Sequence, residues 1–201
     1  MLRSTSLISA AMLIALSMPL SAQNQNEEAE APASGSAAQL DLGQPVGDGP
    51  QLGERYSKEK FGDWDLACIK TEGDNDPCSL LQIMNDQEGN PIAEFSLFRI
   101  ADGGQAIAGA TIIVPLETLL PAQITMSVDG APGKRYNYSF CNPIGCVAQI
   151  GLTEGDVDAL KRGASAKLSL RPAPAPDQLI EVDMSLSGFT AGFDAVDVVQ
   201  R

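Results

Sequence analysis

Four segments of the sequence alternate between apolar and polar residues with a period of two. In the first, Trp64, Leu66 and Cys68 occupy one face, while Asp63 and Asp65 occupy the other. The same alternation runs through residues 122–129, 166–171 and 180–186. Because successive side chains of a strand point to opposite faces of a sheet, the pattern predicts strands with one buried and one solvated face. This is typical of antiparallel sheet and predicts an all-β, mainly antiparallel fold.

The other apolar runs are short, and residues that favour turns separate them. Further strands are predicted over residues 80–84, 92–100, 105–114, 136–140 and 146–150. About nine short strands at this spacing indicate a β-sandwich or an open barrel, and periodicity does not choose between the two. One short helix is predicted after Thr153, where Asp156 forms a capping box. Gly163 is expected to end this helix in the left-handed conformation.

The amino terminus has the pattern of an export signal. Arg3 precedes an apolar stretch that begins at Leu7, and the small residue Ala22 is the expected cleavage point, so residues 1–22 are predicted to be a signal peptide. Residues 23–57 are acidic, rich in Pro, Ala and Gly, and predicted to form a disordered arm. The β domain is predicted over residues 58–201, and no run after residue 22 is long enough to cross a membrane.

The composition excludes several classes of function. The chain has no His, which removes the Ser-His-Asp triad, the Cys-His dyad and any His-ligated metal. Its formal net charge is −13, from 26 acidic and 13 basic residues, and this balance argues against a nucleic-acid partner. No cofactor and no metal site are predicted.

Two groups of acidic residues are candidates for chemistry. Asp74 and Asp76 share a loop that lacks the glycine and the distal Glu of a calcium-binding loop, so a solvated acidic turn is the favoured interpretation. Asp63 and Asp65 share the predicted wet face and are the candidate pair for a carboxylate-dependent hydrolase that works without His. Neither pattern predicts an enzyme by itself.

The four cysteines are expected to be structural. Cys68, Cys78, Cys141 and Cys146 permit three pairings, and export to an oxidising compartment favours disulfides over free thiols. Proximity in sequence favours Cys68 with Cys78 and Cys141 with Cys146. Redox catalysis is the alternative, but it requires a Cys-x-x-Cys spacing that neither pair has.

Several short motifs follow one another in a distinctive order along the predicted domain. They are Phe61-Gly62-Asp63-Trp64, Cys68, Cys78, Gln82, Val114-Pro115, Ser127-Val128-Asp129-Gly130, Cys141, Gly145-Cys146 and Ser187-Gly188-Phe189-Thr190. In this order, and behind a signal peptide, they resemble the invasion-associated locus B family, which comprises exported envelope proteins of many alphaproteobacteria. The resemblance covers residues 58–196. It departs at Leu116, since the family usually has Gly after the Val-Pro step.

The resemblance supplies no established catalytic residues that can be carried over. The export signal, the disulfide-stapled β domain and the lack of a catalytic pattern together favour binding over catalysis. We expect a non-enzymatic interaction protein that is periplasmic, outer-membrane-associated or secreted, and that contributes to envelope integrity or host-cell invasion. The expected partner is an envelope or host protein of unknown identity. The alternatives are a periplasmic carrier of a small ligand and the carboxylate hydrolase. Trp64 is interpreted as a core residue, with an exposed, partner-binding Trp64 as the alternative.

Overall fold

The computed structural model of the chain describes residues 42–43, 45, 47–86, 88–101 and 104–200. The predicted signal peptide, most of the predicted arm, and residues 102 and 103 of a predicted turn lie outside the described residues. The fold therefore concerns the part of the chain that follows Val46.

Twelve strands and two α-helices form the described fold. The strands are β1 (Arg55–Phe61), β2 (Trp64–Ile69), β3 (Cys78–Asn85), β4 (Pro91–Ile100), β5 (Ala108–Val114), β6 (Ile124–Val128), β7 (Lys134–Tyr136), β8 (Phe140–Asn142), β9 (Gly145–Leu152), β10 (Ser165–Leu170), β11 (Ile180–Ser185) and β12 (Val198–Val199). The helices are α1 (Glu154–Arg162) and α2 (Phe189–Ala195), and a short 3₁₀ helix spans Leu120–Ala122.

The strands form two sheets, which confirms the predicted all-β fold and selects the sandwich over the open barrel. The first sheet has eight strands in the order β1-β2-β3-β4-β5-β9-β8, with β12 paired to β4. The second has four strands in the order β11-β10-β6-β7. All pairs are antiparallel except β12 with β4.

The strand number exceeds the expected nine for local reasons. The single strand predicted over 136–140 is two strands, because β7 pairs with β6 in one sheet and β8 with β9 in the other. The chain therefore crosses between the sheets at residues 137–139. Strand β1 carries mostly exposed polar residues at the edge of its sheet and shows no apolar alternation, while β12 is two residues long.

The core lies between the two sheets, as the alternation predicts. Trp64, Leu66 and Cys68 of β2 are buried, whereas Asp63 and Asp65 lie on the solvent side. The Trp64 ring makes edge contacts with the rings of Phe95 and Phe189, with centroids 5.9 and 5.2 Å apart. This aromatic cluster joins β2, β4 and α2 at the centre of the sandwich.

Helix α1 begins as predicted and ends differently. The Thr153 hydroxyl accepts the Asp156 backbone N–H at 3.3 Å, and the Asp156 carboxylate accepts the Thr153 N–H at 3.0 Å. This capping box confirms the predicted start. The left-handed end predicted at Gly163 is wrong, since its φ is −75°. Glycine is needed there for space, because a Cβ would lie 2.6 Å from Val128 Cγ1.

Helix α2 was not predicted, and its sequence explains why. Its seven residues contain an internal glycine, Gly192, and no side-chain cap. Gly192 allows close packing on β3, since a Cβ there would lie 2.4 Å from Leu80 Cδ1. Tertiary packing therefore stabilises a segment whose local preference for helix is weak.

Replacing Trp64 by Ala is expected to lower the free energy of unfolding by about 3–5 kcal/mol, because a fully buried aromatic side chain leaves a cavity. Trp64 is the single Trp, so unfolding should be followed by circular dichroism rather than fluorescence. The control is Phe140→Ala at a half-exposed position, for which we expect a much smaller loss. Equal losses in the two variants would contradict the central role of Trp64.

Candidate functional site

Three of the motifs that carry the resemblance meet at one place, which we call the sheet junction. It consists of the turn between β1 and β2, Gln82 of β3, and the segment Ser185–Phe189, which starts at the last residue of β11. The backbone N–H of Asp63 donates to Ser187 O at 3.1 Å, and the Ser185 hydroxyl donates to the Asp63 carboxylate at 2.6 Å. The junction therefore connects the first sheet to the end of the second through hydrogen bonds of the main chain and side chains.

Two buried side chains complete the sheet junction. The indole N–H of Trp64 donates to Ser185 O at 2.9 Å. The amide nitrogen of Gln82 donates to the same oxygen at 3.0 Å and to Asp63 O at 3.2 Å, while its amide oxygen accepts the Ser185 N–H at 2.8 Å. Gln82 is 7% exposed, so these partners replace the water that its amide loses on burial.

Glycine is required at two positions of the sheet junction. Gly62 has φ +59° and Gly188 has φ +86°, both in the left-handed region that other residues avoid. A Cβ at Gly188 would lie 1.9 Å from Phe61 O, and one at Gly62 would lie 2.6 Å from Ser187 O. The two backbone segments therefore touch directly, and a side chain at either position would separate them.

Trp64 has no exposed surface in the structure. Its side chain is fully buried and its indole N–H is satisfied inside the protein. A binding role would require the ring to reach solvent, so the alternative of an exposed, partner-binding Trp64 does not fit its position.

The two disulfides join neighbouring strands or the two arms of a hairpin. Cys68 is bonded to Cys78 across β2 and β3, and Cys141 is bonded to Cys146 across β8 and β9. These are the pairings that sequence proximity favours. No free cysteine remains among the described residues.

The acidic loop closed by the first disulfide is held by internal hydrogen bonds. The Asp76 carboxylate accepts the Thr71 backbone N–H at 2.8 Å, the Tyr56 hydroxyl at 2.8 Å and the Lys70 ammonium at 3.2 Å. Its side chain is 10% exposed, so the expected solvated turn is wrong at Asp76. The Thr71 N–H and the Tyr56 hydroxyl hold the pKa of the Asp76 carboxyl well below its usual range. The same bond to Asp76 raises the pKa of the Tyr56 hydroxyl.

Asp63 and Asp65 line an open cleft of about 410 Å³ together with Asp183, which comes from the other sheet. The Asp63 carboxylate is bonded to Ser185, and that of Asp65 accepts the Ser57 hydroxyl at 2.7 Å. Sequence analysis missed Asp183, because alternation shows that it faces outward but not which acids it faces. Within the described part of the chain, no group of three or more Asp, Glu or Cys residues is arranged to hold a metal ion.

An open apolar groove of about 710 Å³ lies on the outer face of the first sheet. Ile83, Glu94 and Ile113 stand directly opposite one another on β3, β4 and β5, and all three line the groove. Leu116 and Ile144 rise beside them and are 51% and 76% exposed. Neighbouring exposed apolar side chains of this kind are typical of an interaction surface.

The groove has a polar wall and a rigid rim. Arg55 and Glu94 form a two-bond ion pair, with N–O distances of 2.8 and 3.1 Å. Ile144 is at the tip of the hairpin closed by the second disulfide. The Asn142 side chain accepts the backbone N–H groups of Ile144 and Gly145 at 3.0 and 3.2 Å, which orders this tip. An exposed isoleucine is thus presented by a covalently closed turn.

The loop that carries Leu116 is also ordered from within. Thr118 is 7% exposed, and its hydroxyl donates to Pro115 O at 2.7 Å. Leu116 occupies the position where the resemblance departs from the family pattern. Leu116 contributes to the apolar surface of the groove.

Comparison with known proteins gives concordant matches. Residues 64–197 match the family model described as Invasion associated locus B (IalB) protein. Invasion protein B homologues of Brucella abortus strain 2308 and of its biovar 1 strain 9-941 are each 25% identical over 145 residues, which cover 72% of this chain and 81% of the relative. The crystal structure of invasion associated protein B from Bartonella henselae aligns with a TM-score of 0.58 at 23% identity, covering 68% of this chain and 92% of that one. The last match shows a shared fold.

Gln82→Ala is expected to lower the free energy of unfolding by about 1–3 kcal/mol, since it leaves the Ser185 N–H without its partner in a closed site. The measurement is urea denaturation at neutral pH. The matched control is Gln149→Ala, which removes an exposed amide from β9 and should change stability by less than about 0.5 kcal/mol. A Gln82 effect as small as that of Gln149 would show that the sheet junction does not depend on this amide.

Asp76→Asn is expected to destabilise the protein at neutral pH, with a deficit that shrinks in acid. The folded-state pKa of Asp76 is lowered, so its stabilisation is complete above the unfolded carboxyl value of about 4 and is lost as pH falls through the folded value. Denaturation of both proteins from neutral to strongly acidic pH tests this. Asp74→Asn, in the exposed part of the same loop, is the control. A deficit that does not vary with pH would contradict the assignment.

Proposed function

The chain belongs to the invasion associated locus B family, and on that premise we propose that it is an exported envelope protein that acts by binding another protein rather than by catalysis. The observation that supports this most directly is the apolar groove. It presents Ile83, Leu116 and Ile144 to solvent at a site whose shape the fold and a disulfide maintain.

Several features support export. The sequence begins with the pattern of a signal peptide over residues 1–22, and both cysteine pairs are disulfide-bonded. Structural disulfides persist in oxidising compartments such as the bacterial periplasm. No helix within the described residues is long and apolar enough to span a membrane. We propose that the protein is located in the periplasm. The alternatives are association with the outer membrane and secretion.

The relatives support a role in interaction rather than in chemistry. The relatives are named as invasion proteins, and their names include no enzymatic activity. In the acid-lined cleft, Asp63 and Asp65 are each bonded to a serine hydroxyl of this chain. We therefore propose a contribution to envelope integrity or host-cell invasion through a bound partner protein.

The groove has the chemistry to hold an extended segment of a partner protein. The groove lies across three neighbouring strands, and the apolar side chains of its rim project outward. It can therefore bury alternate apolar side chains of an extended segment. The Arg55–Glu94 pair in its wall offers charged groups to the peptide bonds of the partner. The groove is open along its length, which suits a polypeptide better than an enclosed small ligand.

Photo-crosslinking in intact cells tests this proposal. A photoreactive residue at position 116 is expected to capture one defined envelope or host protein, and the same probe at exposed Val198 of β12 serves as control. Ile144→Asp should abolish the capture at position 116, because it places a charge in the apolar rim. Val198→Asp should leave the capture unchanged.

The outcomes separate the possible occupants of the groove. Equal capture from positions 116 and 198, or capture that survives Ile144→Asp, would overturn the assignment of the groove. Crosslinks to lipid alone would replace the protein partner by a membrane surface. Crosslinks to a second copy of the chain would indicate self-association through this face.

A further inference from the structure

A second depression, of about 480 Å³, lies at one end of the outer face of the four-stranded sheet. Arg135 and Arg171 line it, and no acidic side chain does. This is unexpected in a chain with 26 acidic and 13 basic residues. The local excess of positive charge sets this depression apart from the acid-lined cleft of the sheet junction.

Within the described part of the chain, neither of these two arginines forms an ion pair with a carboxylate. The seven ion pairs formed among the described residues involve other cations. One guanidinium nitrogen of Arg171 donates to the carbonyl oxygens of Pro176 and Gln178 at 3.0 and 3.3 Å. Those carbonyls orient the guanidinium without neutralising its charge. Arg135 is exposed at the edge of the sheet.

Hydroxyl groups lie between the two arginines. Arg135 stands opposite Thr125, and Thr125 stands opposite Ser169, so the three residues form a row across β7, β6 and β10. The Thr125 hydroxyl can donate to an oxyanion. The Ser169 hydroxyl donates to the Glu181 carboxylate at 3.4 Å, and Glu181 is paired with Lys167 at 3.2 Å. Glu181 is therefore already partly neutralised.

The backbone beside the depression is strained. Gln123 has φ +62°, a conformation that costs a residue with a Cβ of the order of 1 kcal/mol or more. Its side-chain amide donates to Asn137 at 2.8 Å, which holds the wall formed by the 3₁₀ helix. Pro121 and exposed Leu179 add apolar surface at the margin.

We propose that this depression binds a phosphate-bearing ligand through Arg135 and Arg171. A phosphate monoester carries nearly two negative charges at neutral pH and several acceptor oxygens, which match two guanidinium groups and the Thr125 hydroxyl. The apolar margin contacts the remainder of the ligand, to which the phosphate group is attached. The site is independent of the partner-binding groove, which lies on the other sheet.

Titration with inorganic phosphate at constant ionic strength tests the site. Backbone amide NMR on the chain from residue 23 to 201 is expected to show saturable shifts at Thr125, Arg135, Ser169 and Arg171. Arg135→Ala should weaken phosphate binding by at least about tenfold, since a charge-assisted hydrogen bond is lost. The control is Arg162→Ala, which removes an arginine already paired with Asp158 and should change the affinity by less than about twofold.

Several results would overturn the proposal. They are shifts that do not saturate, shifts spread over all basic residues, or equal affinities in wild type and Arg135→Ala. Since the Arg135 side chain is exposed and has no hydrogen-bond partner in the described structure, its removal should not affect folding, and an unchanged urea midpoint verifies this. Arg171→Ala provides the second variant.

A vesicle experiment identifies the source of the phosphate. Vesicles of a phosphate-monoester lipid in phosphatidylcholine are compared with pure phosphatidylcholine vesicles. If the protein cosediments with the vesicles that contain the phosphate-monoester lipid, and if free phosphate displaces it from them, the ligand of the site is a lipid headgroup. Phosphate binding without cosedimentation would assign it to a soluble phosphate-bearing molecule, and both results support the site. Cosedimentation that persists in Arg135→Ala would show that lipid binding occurs elsewhere.

Discussion

The sandwich depends on a direct backbone contact between its two halves. Phe61 and Gly62 lie against Ser187 and Gly188 so closely that neither glycine could carry a Cβ. Because main-chain groups brought this near must be paired, Ser185 exchanges hydrogen bonds with Gln82, and its carbonyl oxygen also accepts the Trp64 indole N–H. The contact also places α2 against β2, where the Phe189 ring packs on Trp64.

Many of the residues that identify the family are therefore architectural. They form the sheet junction or the disulfides, whereas the groove is lined by the motif residues Val114 and Pro115 together with Leu116 and Ile144 from the loops beside it. A rigid frame lowers the cost of ordering such loops when a partner binds. The disulfide between Cys141 and Cys146 serves this purpose directly, because it fixes the turn that presents Ile144.

The acidic charge of the chain is unevenly distributed over its surfaces. Three aspartates line the cleft beside the sheet junction, while the far end of the second sheet carries two arginines that form no ion pair with a carboxylate among the described residues. The acidic net charge disfavours binding to a polyanion, but it is compatible with a small anion at a local positive site. Opposite faces of one sandwich can in this way present an apolar groove and a cationic depression.

Much of the fold follows from local sequence, and most of the binding geometry does not. Alternation determined the faces of β2, β6, β10 and β11, and the capping box determined the start of α1, because both depend on neighbours within a few residues. The sequence alone also indicated the cysteine pairs and the family. Only the tertiary structure decided which rings surround Trp64, that Asp183 joins Asp63, and that Arg135 and Arg171 share one depression. Those juxtapositions arise from strand order across two sheets, and a period of two specifies which face a residue occupies but not which strand lies beside it.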